Sequence, residues 1–110
     1  MHILEKYVSS MDKGDFKEVS ELFSESMYMD DGAGRIADIN APSLILKSRT
    51  ELLSTLETVA AANKTFRAKL IRLNPNSLEY DLILDSGTVQ CVGCAKIVND
   101  LIEEYIVRPR

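Results

Sequence analysis

Apolar positions recur at helical spacing from the first turn of the chain: Ile3, Leu4, Tyr7, Val8 and Met11 fall on one face of a helix with about 3.6 residues per turn. Gly14 is a natural C-terminal stop and Asp15 a natural N-cap, so the chain turns directly into a second helix with Phe16, Val19, Leu22 and Phe23 inward. At Met27 the texture changes to alternation. Met27, Met29 and Asp31 share one face of a short strand, Tyr28 and Asp30 the other, and the strand runs into a turn at Gly32-Ala33-Gly34. Residues 35–47 have no clear period around Pro42 and read as a loop with room for one short strand. Ser48 followed by Glu51 has the spacing of a capping box, and Leu52, Leu53, Leu56, Val59 and Ala60 continue it as a third helix over about 49–62.

Beyond Thr65 alternation takes over again. Phe66, Ala68 and Leu70 precede an Asn74-Pro75-Asn76 turn, and Leu78, Tyr80, Leu82 and Leu84 precede Asp85-Ser86-Gly87. A longer strand follows over about 88–98, Asn99-Asp100 makes a two-residue hairpin turn, and Leu101 to Val107 is the last strand, stopped by Pro109. The order is helix, helix, strand, helix and a four-strand meander: an α+β arrangement, three helices packed on one face of a curved, mainly antiparallel sheet. The seam between helices and sheet is where such an arrangement holds a small ligand.

Composition narrows the chemistry. The chain has 110 residues, which suits a single domain over 1–110 with one core; apolar residues make up 45% and charged residues 27%, as in soluble globular proteins. Seventeen acidic against thirteen basic residues leave a net charge of −4, a poor basis for gripping phosphate backbones or anionic lipid, so neither nucleic acid nor membrane is expected as a partner. Glu5 and Lys6 interrupt the apolar run a secretory segment would need, which points to a soluble protein of the cytoplasm. The single histidine, His2, leaves no serine–histidine, cysteine–histidine or histidine-rich metal chemistry, so catalysis would rest on carboxylates, phenols, lysine or thiol. Cys91 and Cys94 form a Cys-x-x-Cys pair without the second ligand pair a zinc site needs, and read as ordinary reduced thiols. Gly32-Ala33-Gly34 lacks the third glycine and strand-to-helix setting of a dinucleotide loop, so no cofactor and no metal is expected.

The stretch Tyr7-Val8-Ser9-Ser10-Met11-Asp12-Lys13-Gly14-Asp15-Phe16, continuing to Glu21-Leu22-Phe23 and Asp30-Asp31, resembles the opening of SnoaL-like, ketosteroid-isomerase-like proteins of the nuclear transport factor 2 (NTF2-like) superfamily. The closing strand, Asn99-Asp100 turn and Leu101-Ile102-Glu103-Glu104-Tyr105 are similar to that family's last hairpin. The resemblance implies a cone-shaped α+β barrel with a dry pocket, and a homodimer through the outer sheet face. It names no reaction, because the superfamily spans isomerases, cyclases, dehydratases and modules without chemistry.

Residue by residue, the resemblance places Tyr7 at the tyrosine that donates to a developing oxyanion and Asp31 at the general base that moves a proton next to a carbonyl. Ketosteroid isomerase is itself a standard example of carboxyl tuning, so this physics comes with the resemblance. The isomerases' second acid aligns at Cys94, within one residue either way, and Gly93, Cys94 and Ala95 contain none. Steroid isomerisation is therefore disfavoured, while a one-base reaction survives. Each residue also has a plainer reading: Tyr7 as core in line with Ile3, Leu4 and Met11, and Asp31 as a turn former before Gly32. Asp30 reads as solvated, and Lys96 as an outward charge.

With Met11, Phe23, Met27, Met29, Leu52, Leu56, Tyr80, Leu82, Cys94 and Tyr105 as wall, these residues describe a pocket for a small apolar carbonyl compound. A non-catalytic ligand-binding or dimerisation module is the alternative.

Overall fold

The computed structural model describes residues 1–32 and 43–110. Helix α1, Ile3–Lys13, buries Leu4, Tyr7, Val8 and Met11, the face its periodicity marks. His2 caps it: Nδ1 accepts the Leu4 N–H at 3.1 Å, which leaves Nε2 to carry the proton and donate to the Pro75 carbonyl at 3.0 Å. Gly14, with φ 76°, ends the helix in a left-handed C-cap. The Gly14 N–H donates to the Met11 carbonyl and the Asp15 N–H to that of Ser10, the paired bonds of a Schellman motif. Asp15 then caps α2, Phe16–Glu21, by accepting the Glu18 N–H at 3.2 Å.

Phe23 departs from the sequence expectation. It opens strand β1, Phe23–Asp31, instead of ending α2. Helical and extended readings compete locally there, and tertiary pairing decides: Phe23 is in register with Ile102, the Ile102 N–H donates to the Leu22 carbonyl at 2.9 Å, and the Arg49 guanidinium donates to the Phe23 carbonyl at 2.6 Å. β1 is accordingly longer than the alternation suggested, with a register irregularity between Phe23 and Tyr28.

The turn expected at residues 33–34 and the greater part of the 35–47 loop lie outside the described residues. Beyond them Leu44–Leu46 forms the short strand β2, antiparallel to β1. Helix α3, Arg49–Ala61, starts where expected, with Ser48 Oγ accepting the Glu51 N–H at 3.1 Å. Only Leu52 on α3 is fully buried; Leu56 and Val59 are half-buried.

Strands β3 (Phe66–Leu73), β4 (Ser77–Leu84), β5 (Gly87–Val98) and β6 (Leu101–Pro109) form the meander. Asn99 and Asp100 both have positive φ, 52° and 62°, as a two-residue hairpin turn matched to strand twist requires. The six strands run in the order β2-β1-β6-β5-β4-β3; β1 is parallel to β6 and the other pairings are antiparallel. The sheet curves around the helices without closing, leaving β2 and β3 as its edges. Pro109 ends β6 two residues later than expected. It lies beyond the last rung shared with β1, Asp31 with Val107, so its missing N–H removes no bond from that ladder.

The last turn of α1 is tied to the sheet by Asp12, which accepts from Arg67 Nε at 2.7 Å and from the Ala68 N–H at 3.0 Å. No helix among the described residues is long and apolar enough to cross a membrane.

Candidate functional site

A cavity of about 100 Å³ opens between α1, α3 and the concave face of the sheet. α1 brings Tyr7 and Met11 to it, β1 brings Met29 and Asp31, α3 brings Leu52 and Leu56, and β4 brings Tyr80 and Leu82. Period-two alternation delivers these strand residues to one face, and 3.6-residue spacing delivers the helical ones. The half-burial of α3 has the same origin, because its inner face covers a cavity and not a packed core. Leu44 and Leu46 of β2, Thr55 and Val59 of α3, and Phe66 of β3 also line it. The pairing of β2 with β1, which brings Leu44 opposite Asp31, has no local sequence signal.

Four residues expected on the wall are elsewhere. Phe23, Met27 and Tyr105 are fully buried in the core and do not reach the cavity. Cys94 is exposed on the outer face of β5, because alternation there turns Cys91 and Gly93 inward and Cys94 and Lys96 outward. The place expected for a second acid is therefore taken on its inner side by Gly93. A Cβ at Gly93 would come within 2.6 Å of Tyr105 Cε1, so the Tyr105 ring occupies the space a side chain would need.

Tyr7 is the centre of an aromatic cluster. Its ring meets those of Tyr105, Tyr80 and Phe23 edge-on, with centroids 5.1, 5.9 and 6.0 Å away. Burial pushes the Tyr7 hydroxyl well above the usual phenol range; the Tyr80 hydroxyl pulls the other way, and the negative charge of Asp31 pushes it up further. Tyr7 stays protonated at any physiological pH and so keeps a hydrogen to donate. Burial, then the Asp31 charge, likewise pushes the Cys91 thiol up to about 12. The Asp31 carboxylate is thus within electrostatic reach of two buried acidic groups, one of them Tyr7. Tyr80 and Tyr105 are also held protonated, chiefly by burial. The Tyr105 hydroxyl is fully buried beside the Tyr7 and Tyr80 hydroxyls but meets neither in good hydrogen-bond geometry.

Asp30 is not the solvated group that its place on the outer face suggested. It receives a two-pronged ion pair from Arg108, Nη1 and Nη2 each donating at 3.0 Å, and Arg108 Nη1 also donates to the Val107 carbonyl at 2.8 Å. This clamps the end of β1 to β6 next to Asp31. Arg108 lies 78 residues from Asp30, which is why sequence reasoning missed it. Among the described residues no group of three or more His, Cys, Asp or Glu side chains is placed to hold a metal ion.

The sequence matches no protein-family model and no curated protein. Solved structures do match. A candidate ketosteroid isomerase from Kribbella flavida superposes with TM-score 0.73 at 14% identity, over 98% of this chain and 75% of that one. An NTF2-like protein from Mesorhizobium loti gives TM-score 0.74 at 15% identity, over 98% and 88%. A candidate polyketide cyclase from Sinorhizobium meliloti gives 0.70 at 12% identity, over 96% and 93%. Helices packed on the curved six-strand sheet, with a cavity at their seam, make this chain one of the NTF2-like fold, the architecture of the ketosteroid-isomerase-like proteins.

Proposed function

We propose that the chain is a small-molecule pocket protein whose Asp31 moves a proton next to the carbonyl of an apolar ligand while the Tyr7 hydroxyl hydrogen-bonds the carbonyl oxygen. The observation that carries this reading is the meeting of a carboxylate from β1 and a permanently protonated phenol from α1 on one small, otherwise largely apolar cavity. Asp31 takes the proton from the carbon beside the carbonyl, the C–H electron pair passes into an enolate, and the enolate oxygen accepts the Tyr7 hydrogen bond. Return of the proton to the same or another carbon closes the cycle. With Gly93 and no acid at the second position, the enolate rests on the single hydrogen bond from Tyr7. The names of two fold neighbours, a candidate isomerase and a candidate polyketide cyclase, agree with a carbonyl-directed site.

The test is deuterium incorporation from heavy water into butanone at the carbons beside its carbonyl, followed by NMR. The native chain should exceed Asp31→Asn by about 10²- to 10⁴-fold, the usual scale of a positioned general base. Equal rates in the two would overturn the acid–base role. A second reading, a pocket that holds its ligand unaltered, is favoured by the missing second acid; it predicts equal rates together with saturable binding.

A further inference from the structure

Ligand size is decided by what lies behind Tyr7. Tyr7 and Tyr80 are buried residues of the cavity wall, their rings edge-on with centroids 5.9 Å apart. Behind Tyr7 stand Tyr105 and Phe23, edge-on to it and to each other, both completely buried. Tyr105 in turn lies flush on the Gly93 backbone. Rings packed at interior density have nowhere to retreat, so the wall at Tyr7 cannot deepen when a ligand arrives. The wall can yield where it is less covered: Thr55, Leu56 and Val59 of α3, Phe66 of β3 and Leu82 of β4 are half-buried, and Leu44 of β2 is exposed.

Resting on the pocket reading above, the geometry points to a short ligand, about four to six heavy atoms, entering carbonyl-first against Tyr7 and Asp31. The scale follows from volume: an apolar cavity of about 150 Å³ takes up benzene, and this one measures about 100 Å³. The chemical class is a small ketone or aldehyde. Steroids and folded polyketides are too large. The determinant of this specificity is the Tyr105 ring on Gly93, which fills as solid core the space that alternation along β6 assigned to pocket wall.

The methionines report on it directly. The chain has four: Met11 and Met29 line the cavity, Met27 is buried away from it and Met1 is exposed. With methyl-labelled methionine, acetone and butanone should shift the Met11 and Met29 signals saturably and leave Met27 in place, while acetophenone moves neither. Leu56→Ala, at a half-buried wall position, should admit acetophenone, a gain that general loosening of the fold would not produce while Met27 stays unmoved. Saturation by acetophenone in the native chain, at an affinity equal to or better than butanone, would overturn the size limit, as would absence of any shift with the small ketones or failure of Leu56→Ala to widen the range. Binding of butanone without deuterium exchange would remove the acid–base role and leave the size limit standing, so the two proposals fail separately.

Discussion

The Tyr105 ring lies against the Gly93 backbone so closely that a Cβ at 93 would sit 2.6 Å from Tyr105 Cε1. This contact joins β5 to β6 on the concave side of the sheet, puts an aromatic ring at the inner side of the position where the sequence resemblance led to the expectation of a second acid, and backs the Tyr7 ring.

Gly93→Ala should therefore destabilise the fold by at least the usual overpacking cost of about 1–3 kcal/mol, since the neighbour is a buried ring and not a flexible chain end. Denaturant unfolding measures it. A variant within about 0.5 kcal/mol of the native chain would show that Tyr105 can move aside.

Tyr105→Phe should behave oppositely. The hydroxyl is buried beside the Tyr7 and Tyr80 hydroxyls without a well-formed hydrogen bond to either, and an unmet buried polar group costs about 1–3 kcal/mol. Removing it while keeping the ring should leave stability unchanged or raise it by about 1 kcal/mol. A clear loss would mean that the hydroxyl has a partner worth keeping.

Stability should fall in alkali. In the folded chain the Cys91 thiol is pushed up to about 12, chiefly by burial, whereas the unfolded thiol ionises near pH 8.5. The folded state keeps its proton while the unfolded state loses one, so this contribution is complete below about pH 8.5 and is lost as pH rises towards 12, at about 1.4 kcal/mol per pH unit. Tyr7, Tyr80 and Tyr105, all held above the usual phenol range by burial, steepen the loss above about pH 10. Unfolding free energy measured from pH 7 upwards should show both limbs, and Cys91→Ala should flatten the first while leaving the second.

The two cysteines should separate kinetically. Cys94 is exposed on the outer sheet face, and Cys91 is buried with a raised ionisation threshold. One equivalent of a thiol reagent should react quickly at neutral pH and the second only on unfolding. Two equally fast thiols would contradict the register of β5.

Asp30 and Arg108 should matter for the site more than for overall stability. The pair is partly exposed, so Arg108→Gln should cost only about 1 kcal/mol. Hydrogen exchange at the β1 end, around Asp31, should speed up, because the clamp between β1 and β6 is gone. Unaltered exchange there would deny the clamp a role in positioning Asp31.

Much of the fold is legible in the chain itself because its signals are local. The stop at Gly14, the caps at Asp15 and Ser48, and the Asn99-Asp100 turn depend on backbone groups a few residues apart, and each forms where its residues indicate. Alternation also puts Met29, Asp31, Tyr80 and Leu82 on one face, and helical spacing adds Tyr7, Met11, Leu52 and Leu56, so the cavity's main walls are written in the periodicity of the chain.

What only the tertiary structure decided are matters of distance between remote segments. Phe23 is strand and not helix because Ile102 and Arg49 reach its backbone; Asp30 is paired because Arg108 arrives from the chain's other end; Cys94 faces out because the ladder with β4 and β6 sets which face of β5 is inner. Periodicity supplies two faces to each element but not which neighbour covers them or how completely. For that reason Phe23, Met27 and Tyr105 could be assigned to the inner face from sequence, while their being solid core behind a short cavity, and not its wall, was settled by packing.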